Sequence, residues 1–136
     1  MITSIALLLL RLLVMIVFVW SGWGHAKDPV ASGKDIGFSP PFARLLGIVE
    51  LLAGLGVGFG VLTRLSALGL MIVMLGAMHR KIFVWSTGFW GKDSHGWHYD
   101  LIFFAINLLI LGTAGGPWTL TRLLVRVSAL RWLAKA

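Results

Sequence analysis

Four apolar stretches, over residues 3–24, 41–62, 65–85 and 97–114, take up most of this 136-residue chain, each close to the length a membrane-crossing helix needs. A hydrocarbon core about 30 Å thick is spanned by roughly 20 apolar residues rising 1.5 Å apiece. With 58% hydrophobic and only 12% charged residues the chain is too apolar for an ordinary soluble domain. The expected fold is therefore all-α: an integral membrane, antiparallel four-helix bundle over residues 1–116, followed by a short basic amphipathic helix over 117–136.

The connections order these helices. Only Thr63-Arg64 separates the second stretch from the third, which forces an antiparallel hairpin. The other connections, 25–40 and 86–96, are longer and fall together on the opposite face, side B, leaving both termini on side A. The first stretch lacks the basic start and small-residue cleavage site of a signal peptide and is read as a retained helix. Lys and Arg divide almost evenly between the faces, so orientation rests on the tail. There Leu120, Leu123, Val127 and Leu130 form one stripe with the arginines mostly elsewhere, which fits a helix lying on an anionic cytoplasmic leaflet. Both termini are expected in the cytoplasm, with the bundle in the cell (inner) membrane. Membrane lipid is the expected counter-charge for the net +7, since no soluble domain remains to bind nucleic acid. The absence of cysteine excludes thiol chemistry by this chain.

Arg11, Glu50, His79 and Asp100 interrupt the apolar stretches. A charge inside hydrocarbon costs about 2.5–3.5 kcal/mol on insertion scales, so such residues face the bundle interior and have a partner or a task. By helix rise, Arg11 lies about 12 Å in from side A and Glu50 roughly 14 Å in from side B, which predicts a midplane ion pair. Asp100 and Asn107, seven residues apart, share a helix face. Glu50, His79, Asp100 and Asn107 would then form a polar column opening to side B, with His25, Trp97 and His98 at its mouth.

Each position also has a structural reading. Arg11 with Glu50 could only fix helix register, His79 could be an interfacial residue beside the cations Arg80 and Lys81, and Asp100 could cap the fourth helix. No metal site is assigned; the weak candidates His95, His98 and Asp100 supply suitable ligand types without a specific spacing. Gly54-x-x-x-Gly58, Gly56-x-x-x-Gly60, Gly69 and Gly76 read as helix-packing positions. Tryptophans near the span ends read as an interfacial belt.

Several local patterns together resemble the DoxX family: Arg11-Leu12, Ser21-Gly-Trp-Gly-His-Ala-Lys27, Gly47-Ile-Val-Glu50-Leu-Leu-Ala-Gly54, Gly-Val-Leu-Thr-Arg64, His79 and Gly96-Trp-His-Tyr-Asp100-Leu. The likeness covers about residues 5–116. His98-Tyr-Asp100 and Gly115-Gly-Pro-Trp-Thr-Leu depart from the family's usual pattern. The resemblance implies a small four-helix membrane protein linked to quinone-reactive or oxidative-stress redox complexes. Three functions are weighed on this basis. The first is a quinone-interacting membrane subunit of a redox complex, with quinone as the possible cofactor, Glu50, His79 and Asp100 on its head group, and a redox-enzyme partner subunit. The second is a non-enzymatic anchor or assembly subunit with a structural polar core, and the third a small-solute transporter, which would need a polar path to side A. A homo-oligomer remains open.

Overall fold

The computed structural model describes residues 1–91 and 96–125. Its helices are α1 (Ile2–Lys27), α2 (Pro29–Ile36), α3 (Pro40–Phe59), α4 (Thr63–His79), which runs on as a π-helix over Arg80–Val84, α5 (Trp97–Thr113) and α6 (Leu120–Val125). Spans Ile2–Lys27, Pro40–Phe59 and Thr63–Val84 are long and apolar enough to cross a membrane, and the apolar α5 is shorter. The fold is the expected all-α membrane bundle.

Helix ends follow local chemistry. Pro29 cannot continue α1, and Asp28 instead caps α2 by accepting from the Ala31 N–H at 3.2 Å. The 25–40 connection, expected as a loop, thus holds a short helix. Pro40 and Pro41 open α3, where a missing N–H costs nothing. Gly60, at φ +76°, closes α3 in the left-handed conformation that a side chain would strain.

All four long helices bury residues at steps of three and four, the stripe of an amphipathic helix in a bundle. On α1 these are Leu7, Arg11, Val14, Phe18 and Gly22; on α3, Ala43, Gly47, Glu50, Gly54 and Val57. On α4 they include Ala67, Leu70 and Met74; on α5, Asp100, Phe103, Asn107 and Ile110. Val14, Phe18, Val57, Leu70, Met74, Phe103 and Ile110 meet in an apolar central layer, with Phe18 edge-on to Phe103 at 5.5 Å.

Helices α1 and α3 touch backbone to backbone. A Cβ on Gly22 would lie 2.5 Å from the Gly47 carbonyl oxygen, and one on Gly47 would lie 2.6 Å from the Gly22 oxygen. Gly54 and Gly58 face Phe18 and Met15 of α1 in the same seam, and Gly56 packs on Ser66 of α4. Gly69 and Gly76 have no such neighbour, because a Cβ at either meets nothing within 4 Å.

On side A the chain folds back over the bundle. Thr121 donates to the Gly60 carbonyl through its N–H at 3.2 Å and its hydroxyl at 2.6 Å, and both Thr119 and Thr121 are buried. The start of the tail is thus tied to the α3–α4 turn rather than simply laid on lipid. The expected amphipathic helix is described only over Leu120–Val125, with Leu120 and Leu123 exposed; residues 126–136 lie outside the described residues.

Candidate functional site

A cavity of about 400 Å³ opens near the side B end of the bundle, walled mainly by apolar side chains of α1, α3 and α4. Two buried carboxylates border it, each 4% exposed or less.

Glu50 reaches the cavity because the glycine seam brings α3 against α1. Ser21 Oγ donates to its Oε2 at 2.9 Å, and His25 Nδ1 lies 3.3 Å from the same oxygen. Ser21 and His25 are four residues apart, so they stand one above the other on one face of α1. Asp100, in the first turn of α5, is paired with the Lys81 ammonium at 2.8 Å. The same Nζ sits 5.5 Å from the centre of the Tyr99 ring, and Lys81 and Tyr99 both border the cavity. Lys81 belongs to the π-helix, whose wider turn is marked by the Trp85 N–H bonding the Arg80 carbonyl at 2.9 Å. Such turns recur at functional sites. At the side B rim, the Arg80 guanidinium lies 4.2 Å from the Phe38 ring centre, and Phe38 packs on Phe42 at 4.6 Å.

One carboxylate is therefore matched by a full cation and the other by a hydroxyl and an imidazole. In a mostly apolar enclosure these groups can donate to, accept from or exchange protons with a polar head group.

The expected Arg11–Glu50 ion pair does not form. Contacts of Met15 with Gly58, Phe18 with Gly54, and Gly22 with Gly47 set the α1–α3 register, which puts Ser21 beside Glu50 and Arg11 beside the end of α3. Ten residues separate Ser21 from Arg11, about 15 Å of helix. Arg11 instead donates to the carbonyls of Val57 and Gly58, both at 2.9 Å, Gly115 at 3.3 Å and Trp118 at 2.6 Å.

The expected polar column is also shorter than its four members. His79 is exposed and packs against Phe83 with ring centres 5.2 Å apart and planes tilted by 45°, and it does not border the cavity. It is five residues past Met74 and so turned well off the buried stripe, whereas Lys81 is seven past and on it. Asn107 is fully buried two turns below Asp100 and donates to the Phe103 carbonyl of its own helix at 2.8 Å. Of the expected mouth residues, His25 borders the cavity. Trp97 and His98 hold the side B loop instead: Trp97 packs on Phe89 at 4.6 Å, and His98 Nδ1 meets the Phe89 carbonyl at 2.6 Å. His95 lies outside the described residues, and among the described residues no group of three or more histidines and acids could hold a metal.

Ser21, Lys81, Tyr99 and Arg80 are the site residues not singled out from sequence. Ser21 was legible as the partner of His25 one turn on, and Lys81 as the continuation of the Met74 stripe. Arg80 and Tyr99 carry no comparable signal.

The DoxX family model matches residues 6–85, which include Glu50, Ser21, His25 and Lys81. An uncharacterized membrane protein of Mycobacterium tuberculosis is 33% identical over 127 residues, covering 83% of this chain and 77% of its own length. No solved structure matches. The sequence motifs, the helical membrane fold and these two matches agree: the chain belongs to the DoxX family.

Proposed function

We propose that the side B cavity binds the head group of a quinone or a similar tailed amphiphile, and that the protein serves as the membrane subunit of a redox complex. The observation that carries this reading is the convergence of Glu50 and the Asp100–Lys81 pair on one mainly apolar cavity. About 400 Å³ lies within the usual 300–1,000 Å³ range of small-molecule sites, where a few polar groups orient a ligand otherwise held by apolar walls. Reducing a quinone to its quinol takes two electrons and two protons. The electrons would come from a partner redox subunit. Glu50, backed by Ser21 and His25, would hydrogen-bond one head-group oxygen and deliver one proton there, while the Lys81 ammonium would hydrogen-bond the other oxygen and deliver the second, both groups regaining their protons from water at side B. The apolar layer between the cavity and Arg11 favours binding over transport, which needs a polar path through the bundle. The basic tail supports an orientation with both termini in the cytoplasm, which would turn the cavity toward the outer half of the inner membrane.

The test is extraction and mass spectrometry of the gently purified protein, followed by quinone titration. Retained quinone is expected, with binding at least tenfold weaker in Glu50→Gln. No retained quinone, together with unchanged quinone turnover of the co-purified complex carrying Glu50→Gln, would sink the reading.

A further inference from the structure

The cavity has two kinds of boundary. Toward side B it is roofed by the Arg80–Phe38–Phe42 stack. Toward the bilayer its boundary is the seam between α3 and α4. These helices are joined at the turn after Phe59 on side A, and Leu46 and Gly76 each lie 14 residues from that turn, at Gly60 and Leu62, so they stand at one height on either side of the seam. Both border the cavity. Gly76 has no side chain to close the gap, and a Cβ there would meet nothing within 4 Å.

Ile72, one turn nearer side A, borders the cavity and is still 62% exposed. The same side chain thus lies between the interior and the outer surface of the bundle. It is nine residues past Thr63, about 14 Å along α4 and so near the middle of a hydrocarbon layer about 30 Å thick. An opening at that depth faces acyl chains, not water.

We infer, resting on the head-group reading above, that the α3–α4 seam between Leu46 and Gly76 seats the apolar tail of the ligand and is the route by which it exchanges with the bilayer. The ligand class is then narrowed to lipid-soluble molecules with one flexible alkyl or isoprenoid tail. The head stays against Glu50 and Lys81, while the tail leaves sideways past Ile72 and gains no water contact.

The test uses the full chain in phosphatidylcholine nanodiscs and two probes with the same benzoquinone head, one with a ten-carbon tail and one without. Gly76→Phe fills the seam from a position with open space around it. Gly112→Phe, on an exposed face of α5 where a Cβ also meets nothing within 4 Å, controls for folding. Gly76→Phe is expected to weaken the tailed probe at least tenfold and leave the tail-less probe within twofold; Gly112→Phe is expected to change neither. Equal binding of the tailed probe to unmodified protein and Gly76→Phe overturns the seam and leaves the quinone reading standing. So does an equal loss for both probes. If neither probe binds the unmodified protein, the head-group reading fails. The seam is then judged by photocrosslinking with a diazirine-bearing fatty acid: labelling of Ile72 or its neighbours that Gly76→Phe abolishes supports it, and no labelling there overturns it.

Discussion

Lys81 and Asp100 illustrate how much a buried residue depends on its partner. Asp100 is 3% exposed, and the Lys81 side chain is only 14% exposed. Removing one member of a buried pair leaves an uncompensated charge and typically costs 3–5 kcal/mol, whereas replacing both by apolar groups is often neutral. Lys81→Met should therefore destabilise the bundle by about 3 kcal/mol in denaturant titrations, and adding Asp100→Leu should recover most of that loss. If the double variant is no more stable than Lys81→Met, the pair does not hold the helices as described. Glu50 and Asp100 were legible in the sequence as costly intrusions into apolar runs. Lys81 was harder to see, because a lysine beside Arg80 near a span end also fits a snorkelling cation; the register set by Met74 distinguishes them.

At the scale of elements, the site depends on how closely α1 and α3 approach. Ser21 and His25 meet Glu50 only because Gly22 and Gly47 let the two backbones touch. Gly22→Ala would push a methyl group against the Gly47 carbonyl and the Leu51 backbone, neither of which can move aside as a flexible side chain would. Overpacking of this kind costs about 1–3 kcal/mol. The expected result is a lowered Tm with weakened ligand binding, while Gly24→Ala, two residues on and with nothing within 4 Å, leaves both unchanged or raises Tm. Equal Tm values for the two variants would argue against the close seam. Small residues at four-residue spacing suggested helix packing, but spacing alone does not say which neighbour is met. Gly54 and Gly58 pack on α1, while Gly69 and Gly76 face open space.

Across the whole molecule, Arg11 ties the side A end together. It joins α1 to the last turn of α3, to the residue pair Gly115 and Trp118, and so to the segment that Thr121 fastens to Gly60. The carbonyl end of a helix carries partial negative charge, so the end of α3 and the carbonyls following α5 offset the guanidinium. Its planar fork carries five N–H donors in a fixed geometry and serves four carbonyls here, where a lysine ammonium has three donors at a single point. Arg11→Met should cost about 3–5 kcal/mol, given hydrogen bonds to a charged group of about 1.5–3 kcal/mol each that do not add fully. Hydrogen exchange should accelerate at residues 115–121, while quinone binding at the opposite end stays within about threefold of the unmodified protein, since distant sites are nearly independent. Unchanged exchange at 115–121 would remove Arg11 from its role as the tie.

The sequence by itself determined the solvent, the four long helices and the pairing of α3 with α4, because a run of apolar residues and a two-residue connection leave few alternatives; the short α2 was not among them. It also marked Arg11, Glu50 and Asp100 as interior, since hydrocarbon penalises charge wherever it lies along a span. Only the tertiary structure decided who meets whom. Helix rise gives a depth but not the offset between two helices, and the α1–α3 offset is set by glycine contacts spread along the seam. That offset gives Glu50 to Ser21 and His25 and sends Arg11 to carbonyls at the other end. Lys81 and His79, two residues and roughly 160° of helix rotation apart, likewise fall on opposite faces, with Lys81 in the cavity and His79 outside it.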